Sequence, residues 1–222
     1  MKEAIILAGG LGTRLYPLTL DTPKPMVPIA DKPFLEYLLL RLKAQGFARV
    51  ILSVGYLGEQ IEQYFGSMWQ DLELVYAYEK TPLGTGGAIF LALSYVTEAS
   101  VLVLNGDTFC ALDWQAMATQ HRIKKADLTI ALKPMQDFER YGNIKVLDGR
   151  ITSFEEKHYV AEGNINTGVY ILKQHIFDNF TLPETFSFEV DFLQCQLEKL
   201  DVKAFETHDY FIDIGIPEDY KL

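Results

Sequence analysis

The glycine-rich loop directly after the first apolar run is the segment best suited to phosphate chemistry. The run Ala4–Leu7 predicts a short buried strand, and the loop that follows at residues 7–15 has the sequence LAGGLGTRL. Its glycines let the backbone turn tightly, and successive N–H groups in such a turn form a concavity that binds anions. Arg14 adds a planar positive charge that suits phosphate oxygens. We therefore expect this loop to bind phosphate.

The loop departs from the two most familiar phosphate-binding motifs. The dinucleotide fingerprint requires a third glycine at position 15, where this chain has Leu15. A Walker A loop requires a Gly-Lys pair, and the sequence contains none. A strained turn without a ligand stays open as the alternative. Lys24 favours phosphate binding, because Pro23 and Pro25 stiffen the segment around it, although it could also be an exposed loop lysine.

A second glycine-rich segment, EKTPLGTGGA at residues 79–88, links a predicted strand to a predicted helix. Gly84, Gly86 and Gly87 would let a flat nucleotide base lie against the backbone. A helix N-terminus capped by the side chain of Thr85 is the alternative, and both interpretations can hold together.

Two acidic residues at the ends of apolar strands could hold a metal ion. Asp107 ends the sequence Asn-Gly-Asp, and Asp213 lies within Phe-Ile-Asp-Ile-Gly. Because Mg²⁺ rarely has an all-protein cage, it would need both carboxylates together with substrate phosphates. Asp107 could instead be a turn or cap residue. Asp213 would be costly if unpaired in its strand, but an arginine or backbone donors could also satisfy it.

The alternation of short apolar runs with helical spacing predicts an α/β fold. Strands are predicted at 4–7, 50–54, 74–78, 101–104 and 128–132, and helices at 34–42, 59–65, 86–95 and 116–124. This order favours a Rossmann-like, mixed but mostly parallel sheet with helices on both faces. Beyond residue 133, strands at 144–147, 151–155, 167–172 and 210–214 and a helix at 190–200 predict a small antiparallel addition to the same core.

We expect residues 1–222 to form one domain, because no linker separates residues 1–133 from residues 134–222. Ligands in open α/β sheets bind beyond the carboxyl ends of the strands. Residues 8–14, 105–107 and 213–215 are therefore expected to converge. The aromatic-rich segment Phe177–Phe192 is expected to be core, with a homodimer contact as the alternative.

Composition excludes several classes of protein. The net charge is −10, and the only adjacent basic pair of note is Lys124–Lys125, so no nucleic-acid partner is expected. Two cysteines and four scattered histidines predict neither a disulfide framework nor a zinc site. No signal peptide or membrane-spanning run is present in the sequence, which predicts a cytoplasmic protein without a membrane partner.

Seven segments in order resemble the sugar-1-phosphate nucleotidyltransferase family over nearly the whole chain. They are LAGGLGTRLYPLT, PKPM, EKTPLGTGGA, NGD, FEEK, NTGVY and FIDIG. Further segments, KPFLEY, DFERYG, FSFE and IPEDY, are similar to the branch that acts on D-glycero-α-D-manno-heptose 1-phosphate. The resemblance implies transfer of a nucleotide, with GTP expected, to that sugar phosphate, giving GDP-heptose and pyrophosphate for polysaccharide biosynthesis.

The resemblance also implies a role for each matched residue. Residues 1–133 would mainly bind the nucleotide, and residues 134–222 the sugar phosphate. The nucleotide would contact Leu7, Gly9, Gly10, Gly12, Thr13, Arg14, Gly84 and Thr85. The sugar phosphate would contact Gly142, Glu156, Lys157 and Asn166. Asp107 and Asp213 would hold Mg²⁺, and Arg14, Lys24 and Asp107 would be catalytic.

Several alternatives remain at this point. The family's base loop often has alanine where this chain has Gly86, so the base preference stays open. N-acetylmuramate 1-phosphate with UTP, or mannose 1-phosphate with GTP, are the alternative substrate pairs. A regulatory module that binds nucleotides without catalysis is an alternative of another class, and a redox dinucleotide enzyme is a more distant one because of Leu15.

Overall fold

The computed structural model describes residues 1–215 and 217–220 and contains a ten-stranded sheet with helices on both faces. Ile216, in the IPEDY segment, lies outside the described residues. The strands are β1 (Glu3–Leu7), β2 (Pro28–Ile29), β3 (Lys32–Pro33), β4 (Arg49–Val54), β5 (Met68–Trp69), β6 (Leu72–Tyr78), β7 (Ser100–Asn105), β8 (Thr108–Cys110), β9 (Leu128–Phe138), β10 (Ile144–Leu147), β11 (Arg150–Phe154), β12 (Val160–Lys173), β13 (Val202–Glu206) and β14 (Phe211–Asp213).

The α-helices are α1 (Phe34–Ala44), α2 (Gly58–Phe65), α3 (Gly84–Leu93), α4 (Trp114–Lys124) and α5 (Pro217–Tyr220). Two short 3₁₀ turns, Thr13–Leu15 and Lys24–Met26, and a π-helical segment, Phe188–Gln194, complete the helical elements of the described chain. None of the described helices is long and apolar enough to cross a membrane.

The main sheet has the order β10-β11-β13-β9-β12-β7-β1-β4-β6-β5. Strands β7, β1, β4 and β6 are mutually parallel. Strand β12 lies antiparallel between β7 and β9, and β13 runs parallel to β9. The predicted mixed, mostly parallel α/β sheet is confirmed, and its antiparallel part is continuous with the parallel part.

Each face of the sheet is covered by its own apolar layer. Alternate residues of β1 belong to different layers, since Ala4 and Ile6 pack with α1, α2 and α4, whereas Ile5 packs with α3. All three side chains are fully buried, which explains why the strand reads as a continuous apolar run. The layer that contains Ile5 and α3, called the second apolar layer below, also buries Phe177, Phe186, Phe188 and Phe192. The predicted core role of this segment therefore holds for these four aromatic side chains.

Two predicted C-terminal elements differ from the structure. The strand predicted at 210–214 lies outside the main sheet, because β14 pairs with β8 in a separate two-stranded sheet. The helix predicted at 190–200 is the π-helical segment Phe188–Gln194, followed by two helical residues and a turn. The turn at residues 197–199 leads the chain into β13, which begins at Val202 and pairs with β9.

The expected convergence of three segments is nevertheless present. Strands β1 and β7 are neighbours in the middle of the sheet, and the Gly106 N–H donates to the Leu7 carbonyl over 3.0 Å. The Ile214 N–H donates to the carbonyl oxygen of Asp107 over 2.9 Å. The small β8–β14 sheet therefore brings residues 213–215 to the carboxyl ends of β1 and β7.

Candidate functional site

The first glycine-rich loop, residues 7–15, begins at the end of β1 and turns sharply at Gly12. Gly12 has a φ of +65°, a left-handed conformation that glycine adopts without strain. Its carbonyl accepts a hydrogen bond of 2.8 Å from the hydroxyl of Thr19, which closes the loop on itself. The turn Thr13–Leu15 follows and leaves Arg14 exposed to solvent. An added Cβ on Gly10 would meet no atom within 4 Å, so open space borders the loop there.

Gly9 lies where the loop passes two neighbouring segments. A Cβ at Gly9 would overlap the carboxylate of Glu79, and it would lie 3.2 Å from the backbone nitrogen of Gly55. Glu79 is half-buried, and this burial raises the pKa of its carboxyl although the Leu83 N–H and the Ser53 hydroxyl oppose the shift. The first glycine-rich loop and the start of the second thus pack directly against each other.

Lys24 is not the exposed loop lysine that the sequence left as an alternative. Its side chain is only 10% exposed and forms an ion pair with Asp107, whose side chain is 24% exposed. Pro23 precedes the 3₁₀ turn Lys24–Met26 and Pro25 lies within it, so the backbone around the lysine is restricted. The stiff Pro-Lys-Pro segment therefore holds the ammonium group of Lys24 against Asp107, the aspartate that follows β7.

Lys24, Asp107 and Asp213 surround one point beside Gly215. A Cβ built on Gly215 would lie 2.5 Å from Nζ of Lys24, 2.9 Å from Oδ1 of Asp213 and 3.0 Å from Oδ2 of Asp107. Any larger residue at position 215 would enter this cluster. The sequence predicted that Asp107 and Asp213 lie together, and the structure places both of them and Lys24 at this point.

The electrostatics of Asp213 reflect its position. Burial raises the pKa of the Asp213 carboxyl, and the negative charge of Asp107 raises it further. The Gly215 N–H, which donates to Oδ1 over 2.8 Å, and the charges of Lys24 and Arg14 act in the opposite direction. Backbone donation therefore satisfies part of Asp213, and a cation beside the two aspartates would favour its charged form.

The donor set fits a divalent cation that also binds substrate phosphates. Within residues 1–215 and 217–220, no group of three or more His, Cys, Asp or Glu side chains gathers as a possible metal site. Asp107 and Asp213 could supply two hard oxygen ligands, the protein contribution that is typical of Mg²⁺ sites in which phosphate provides the remaining ligands.

The second glycine-rich segment, residues 79–88 (the base loop below), packs against residues that are far away in sequence. Helix α3 begins at Gly84 and has Leu83 at its N-cap without a side-chain cap, so the alternative of a Thr85 cap is wrong. The hydroxyl of Thr85 instead donates to Glu189 over 3.1 Å and accepts from the Phe188 N–H over 2.9 Å. The Gly86 N–H donates to the carbonyl of Phe186.

Gly86, the departure from the family's usual alanine, has a local physical explanation. A Cβ at Gly86 would overlap the ring of Phe186, which is buried in the second apolar layer. A Cβ at Gly84 would lie 2.5 Å from the carbonyl oxygen of the same phenylalanine. The glycines of this loop therefore allow close packing of the 186–189 segment as well as of any nucleotide base.

The residues expected on the sugar side are spread along the C-terminal strands. Asn166 on β12 donates to the hydroxyl of Tyr170 over 2.8 Å. A Cβ at Gly142 would lie 2.7 Å from the carbonyl oxygen of Glu155, so Gly142 is directly beside the Glu156 region. Glu156 and Lys157 are exposed, and neither forms an ion pair with the Lys24–Asp107 pair or with Asp213 in the described chain.

Three residues of the site region were missed from the sequence. Tyr141 packs against Phe211, and burial followed by the charge of Asp213 raises the pKa of its hydroxyl to about 12. Tyr170 is fully buried on β12 and Glu189 accepts its hydrogen bond. A polar group inside an apolar strand, as Tyr170 is, was the available signal, since such a group requires a partner.

The fold and this arrangement define a class of nucleotide-transferring enzyme, and the chain belongs to the nucleotidyl transferase family, whose model matches residues 3–221. The predicted family and the predicted enzyme class are thereby confirmed.

Two relatives are similar over nearly their whole length. A D-glycero-alpha-D-manno-heptose 1-phosphate guanylyltransferase of Aneurinibacillus thermoaerophilus is 50% identical over 99% of this chain and 95% of its own. A guanylyltransferase of the same name from Campylobacter jejuni is 48% identical over 98% and 96%. A mannose-1-phosphate guanylyltransferase of Mycobacterium tuberculosis is 34% identical, but this chain spans only 62% of it.

Solved structures agree with these sequence comparisons. HddC from Yersinia pseudotuberculosis superimposes with a TM-score of 0.87 at 41% identity, and the match covers 100% of this chain and 97% of that one. The same protein complexed with GMP-PN superimposes with a TM-score of 0.86. A Bacillus anthracis protein described as a glucose-1-phosphate thymidylyltransferase is 23% identical with a TM-score of 0.86 and shows the shared fold.

Proposed function

We propose that this chain transfers the guanylyl group of GTP to D-glycero-α-D-manno-heptose 1-phosphate, giving GDP-heptose and pyrophosphate. The observation that carries the proposal is the identity of about half of all positions, 50% and 48%, with two curated enzymes of this name over nearly full length. The convergence of Lys24, Asp107 and Asp213 beside Gly215 supports it, because nucleotidyl transfer requires charge neutralisation at one point.

The reaction does not require a general base. The nucleophile is an oxygen of the sugar 1-phosphate, which is anionic at neutral pH and attacks the α-phosphorus of GTP. A bond from that oxygen to the α-phosphorus forms, and the bond to the bridging oxygen of the leaving pyrophosphate breaks. Catalysis then consists of holding two anions in line and neutralising their charge. Lys24, Arg14 and Lys157 supply positive charge for this task.

The nucleotide would be bound by the two glycine-rich loops. The first loop would hold the triphosphate through its backbone N–H groups and Arg14, with contacts from Leu7, Gly9, Gly10, Gly12 and Thr13. Gly84 and the backbone of Thr85 would line the base. The open space beside Gly10 and the left-handed Gly12 support this assignment. Since the Thr85 hydroxyl is already bonded to Glu189 and Phe188, we assign its contribution to the backbone.

The second substrate would be bound by residues of the C-terminal part. Gly142, Glu156 and Asn166 would contact the sugar, and Lys157 would contact its phosphate. The exposure of Glu156 and Lys157 supports their availability to a ligand. We infer that Mg²⁺ is the metal held by Asp107 and Asp213, and that when bound it neutralises charge on the triphosphate. The proximity of both carboxylates to one point supports this pair of ligands.

A substrate matrix tests the proposal. The purified protein with Mg²⁺ is incubated with each of the four NTPs and each of three sugar 1-phosphates: heptose, mannose and N-acetylmuramate. Sugar nucleotide and pyrophosphate are both quantified. We expect kcat/KM to be highest for GTP with the heptose 1-phosphate. A preference for mannose 1-phosphate, or for UTP with N-acetylmuramate 1-phosphate, would replace this substrate assignment, and tight GTP binding without pyrophosphate release would indicate a non-catalytic module.

A further inference from the structure

The carboxylate of Glu189 connects the second glycine-rich segment, residues 79–88, to strand β12, which carries Asn166. Glu189 lies at the start of the π-helical segment Phe188–Gln194. Its Oε2 accepts a hydrogen bond of 3.1 Å from the hydroxyl of Thr85, at the start of α3. Its Oε1 accepts a hydrogen bond of 2.7 Å from the hydroxyl of Tyr170 on β12. Each carboxylate oxygen therefore serves a different half of the site.

On the sugar side, the hydrogen bonds leave one orientation for Asn166. Its Nδ2 donates to the Tyr170 hydroxyl over 2.8 Å, and its Oδ1 accepts from the Gly168 N–H over 2.9 Å. Tyr170 is fully buried, and burial followed by the charge of Glu189 raises the pKa of its phenol well above the usual range. The phenol is therefore protonated, accepts from Asn166 and donates to Glu189.

On the nucleotide side, hydrogen bonds likewise fix the orientation of the Thr85 side chain. Its hydroxyl accepts from the Phe188 N–H and donates to Glu189, so the rotation of the side chain is fixed by two partners from one segment. The same segment accepts from the Gly86 N–H and donates to the Leu83 carbonyl through the backbone of Phe186. Movement of the base loop must therefore displace residues 186–189.

We propose that Glu189 is a positioning residue that couples nucleotide binding to sugar-phosphate binding through Thr85 on one side and through Tyr170 and Asn166 on the other. A nucleotide that orders the base loop orders the carboxylate, which in turn holds Tyr170 and orients the amide of Asn166 toward the second substrate. The inference rests on the proposed function, because it takes Gly84–Thr85 as the base loop and Asn166 as a sugar contact. Such coupling is reciprocal for the two binding equilibria.

The test measures the coupling directly. The dissociation constant of D-glycero-α-D-manno-heptose 1-phosphate is determined by calorimetry with Mg²⁺, in the absence and presence of a saturating GTP analogue whose α,β-bridging oxygen is a methylene group. This analogue cannot transfer its guanylyl group. We expect the analogue to tighten sugar-phosphate binding by about 5-fold or more in the wild-type protein, the lower end of typical coupling. In Tyr170→Phe, which removes only the relaying hydroxyl, the ratio falls toward one.

Two further variants separate coupling from folding. Thr85 is exposed, so Thr85→Val is expected to fold and to lose the coupling, whereas Thr85→Ser retains the hydroxyl and the wild-type ratio. Tyr76→Phe is the matched control, because the Tyr76 hydroxyl donates only to the Gly66 carbonyl, over 2.6 Å. This control also loses one tyrosine hydrogen bond. We expect it to keep the wild-type ratio of the two dissociation constants, because its hydroxyl takes no part in the contacts of Glu189.

The outcomes distinguish this inference from the proposed function. A wild-type protein that forms GDP-heptose but whose Tyr170→Phe and Thr85→Val variants keep the wild-type ratio overturns the coupling and leaves the function standing. A wild-type protein without any coupling also overturns it. A wild-type protein that forms no product from GTP and this heptose 1-phosphate contradicts the proposed function itself.

Discussion

Lys24 joins the glycine-rich loop to the aspartate cluster. Its Cβ would lie 3.0 Å from a Cβ built on Gly12, while its Nζ pairs with Asp107. Burying a charged group to 10% exposure is costly unless a partner of opposite charge lies beside it. Under the proposed function, two anionic substrates would bind at this place, and the ammonium group would be positioned before they arrive, as electrostatic catalysis requires.

Replacing either member of this ion pair tests the catalytic assignment. We expect Lys24→Ala and Asp107→Ala each to lower kcat/KM by ~100-fold or more while the protein stays folded, by analogy with the loss of one electrostatic stabiliser. Pyrophosphate release provides the rate, and circular dichroism provides the fold. Lys43→Ala is a suitable control, since Lys43 is 41% exposed and pairs with the surface residue Asp71. Near-normal turnover in either site variant would remove that residue from the catalytic set.

His121 makes the stability of the fold depend on pH. Its Nδ1 is hydrogen bonded to Thr129, and burial followed by the charge of Lys173 lowers the pKa of the imidazole to about 4, although Asp127 opposes the shift. In the unfolded chain the imidazole binds a proton below about pH 6.5. Protons therefore favour the unfolded state, and stability is lost as the pH falls from about 6.5 toward 4.

The expected loss from His121 is about 2 kcal/mol between pH 7.5 and pH 5, obtained from the shift by linkage. His121→Gln removes this part of the pH dependence, so its urea-unfolding free energy should fall less over the same interval than that of the wild-type protein. His208→Gln is the control, because the His208 side chain is 77% exposed. Parallel pH profiles for wild-type and His121→Gln proteins would contradict the lowered pKa.

At the scale of elements, the contact between α3 and the 186–189 segment determines where the base loop lies. Gly84 and Gly86 approach Phe186 so closely that neither position has room for a Cβ. Phe186 is itself buried against Phe177, with ring centroids 5.7 Å apart. The loop expected to hold the base is thus supported by the aromatic layer on one face of the sheet.

Gly86→Ala tests this support. Adding a methyl group against the Phe186 ring overpacks the contact, and we expect a loss of about 1–3 kcal/mol in unfolding free energy. Gly10→Ala is the matched control, because a methyl group there meets no atom within 4 Å. Adding Phe186→Leu to Gly86→Ala should restore part of the loss if the ring is the cause. Equal stability of Gly86→Ala and wild-type proteins would contradict this packing.

The sequence predicts those site elements that depend on local pattern. Lys24 between prolines, Asp107 after β7 and the first glycine-rich loop each have a local signal, and the alternation of strands and helices places them at one edge. Glu189 and Phe186 are about 100 positions from Thr85 and Gly86, so no periodicity links them. The pairing of β14 with β8 was also missed, because a three-residue strand has no pattern that specifies its partner.

At the scale of the whole molecule, the strand order joins the two parts of the chain. Strand β12 pairs with β7 through residues 169–173 and with β9 through residues 160–172. It therefore fills the position between the parallel strands that carry the first loops and the strands of the C-terminal part. The single domain predicted from the sequence remains a prediction that unfolding experiments can address.

A chain that ends at residue 133 tests this interdependence. The fragment ends inside β9 and lacks both β12 and β13, so one edge of β7 and both edges of the remaining part of β9 have no partner. Without residues 186–193 the second apolar layer is incomplete. We expect the fragment to lack dispersed amide resonances and a cooperative thermal transition, whereas the full chain unfolds in one transition. A fragment that folds and binds GTP would show that the nucleotide part is autonomous.

The interleaved position of β12 also has a consequence for biosynthesis. As the polypeptide leaves the ribosome, all residues expected to bind GTP emerge first, yet β7 has no neighbour on one side until residue 173 has been made. Until then the nascent chain presents an apolar strand edge that can pair with other chains. Truncated translation products should therefore be prone to association. We also expect GTP not to assist the earliest folding events, because β7, which carries Asp107 at its end, gains its second neighbour only when β12 has been made.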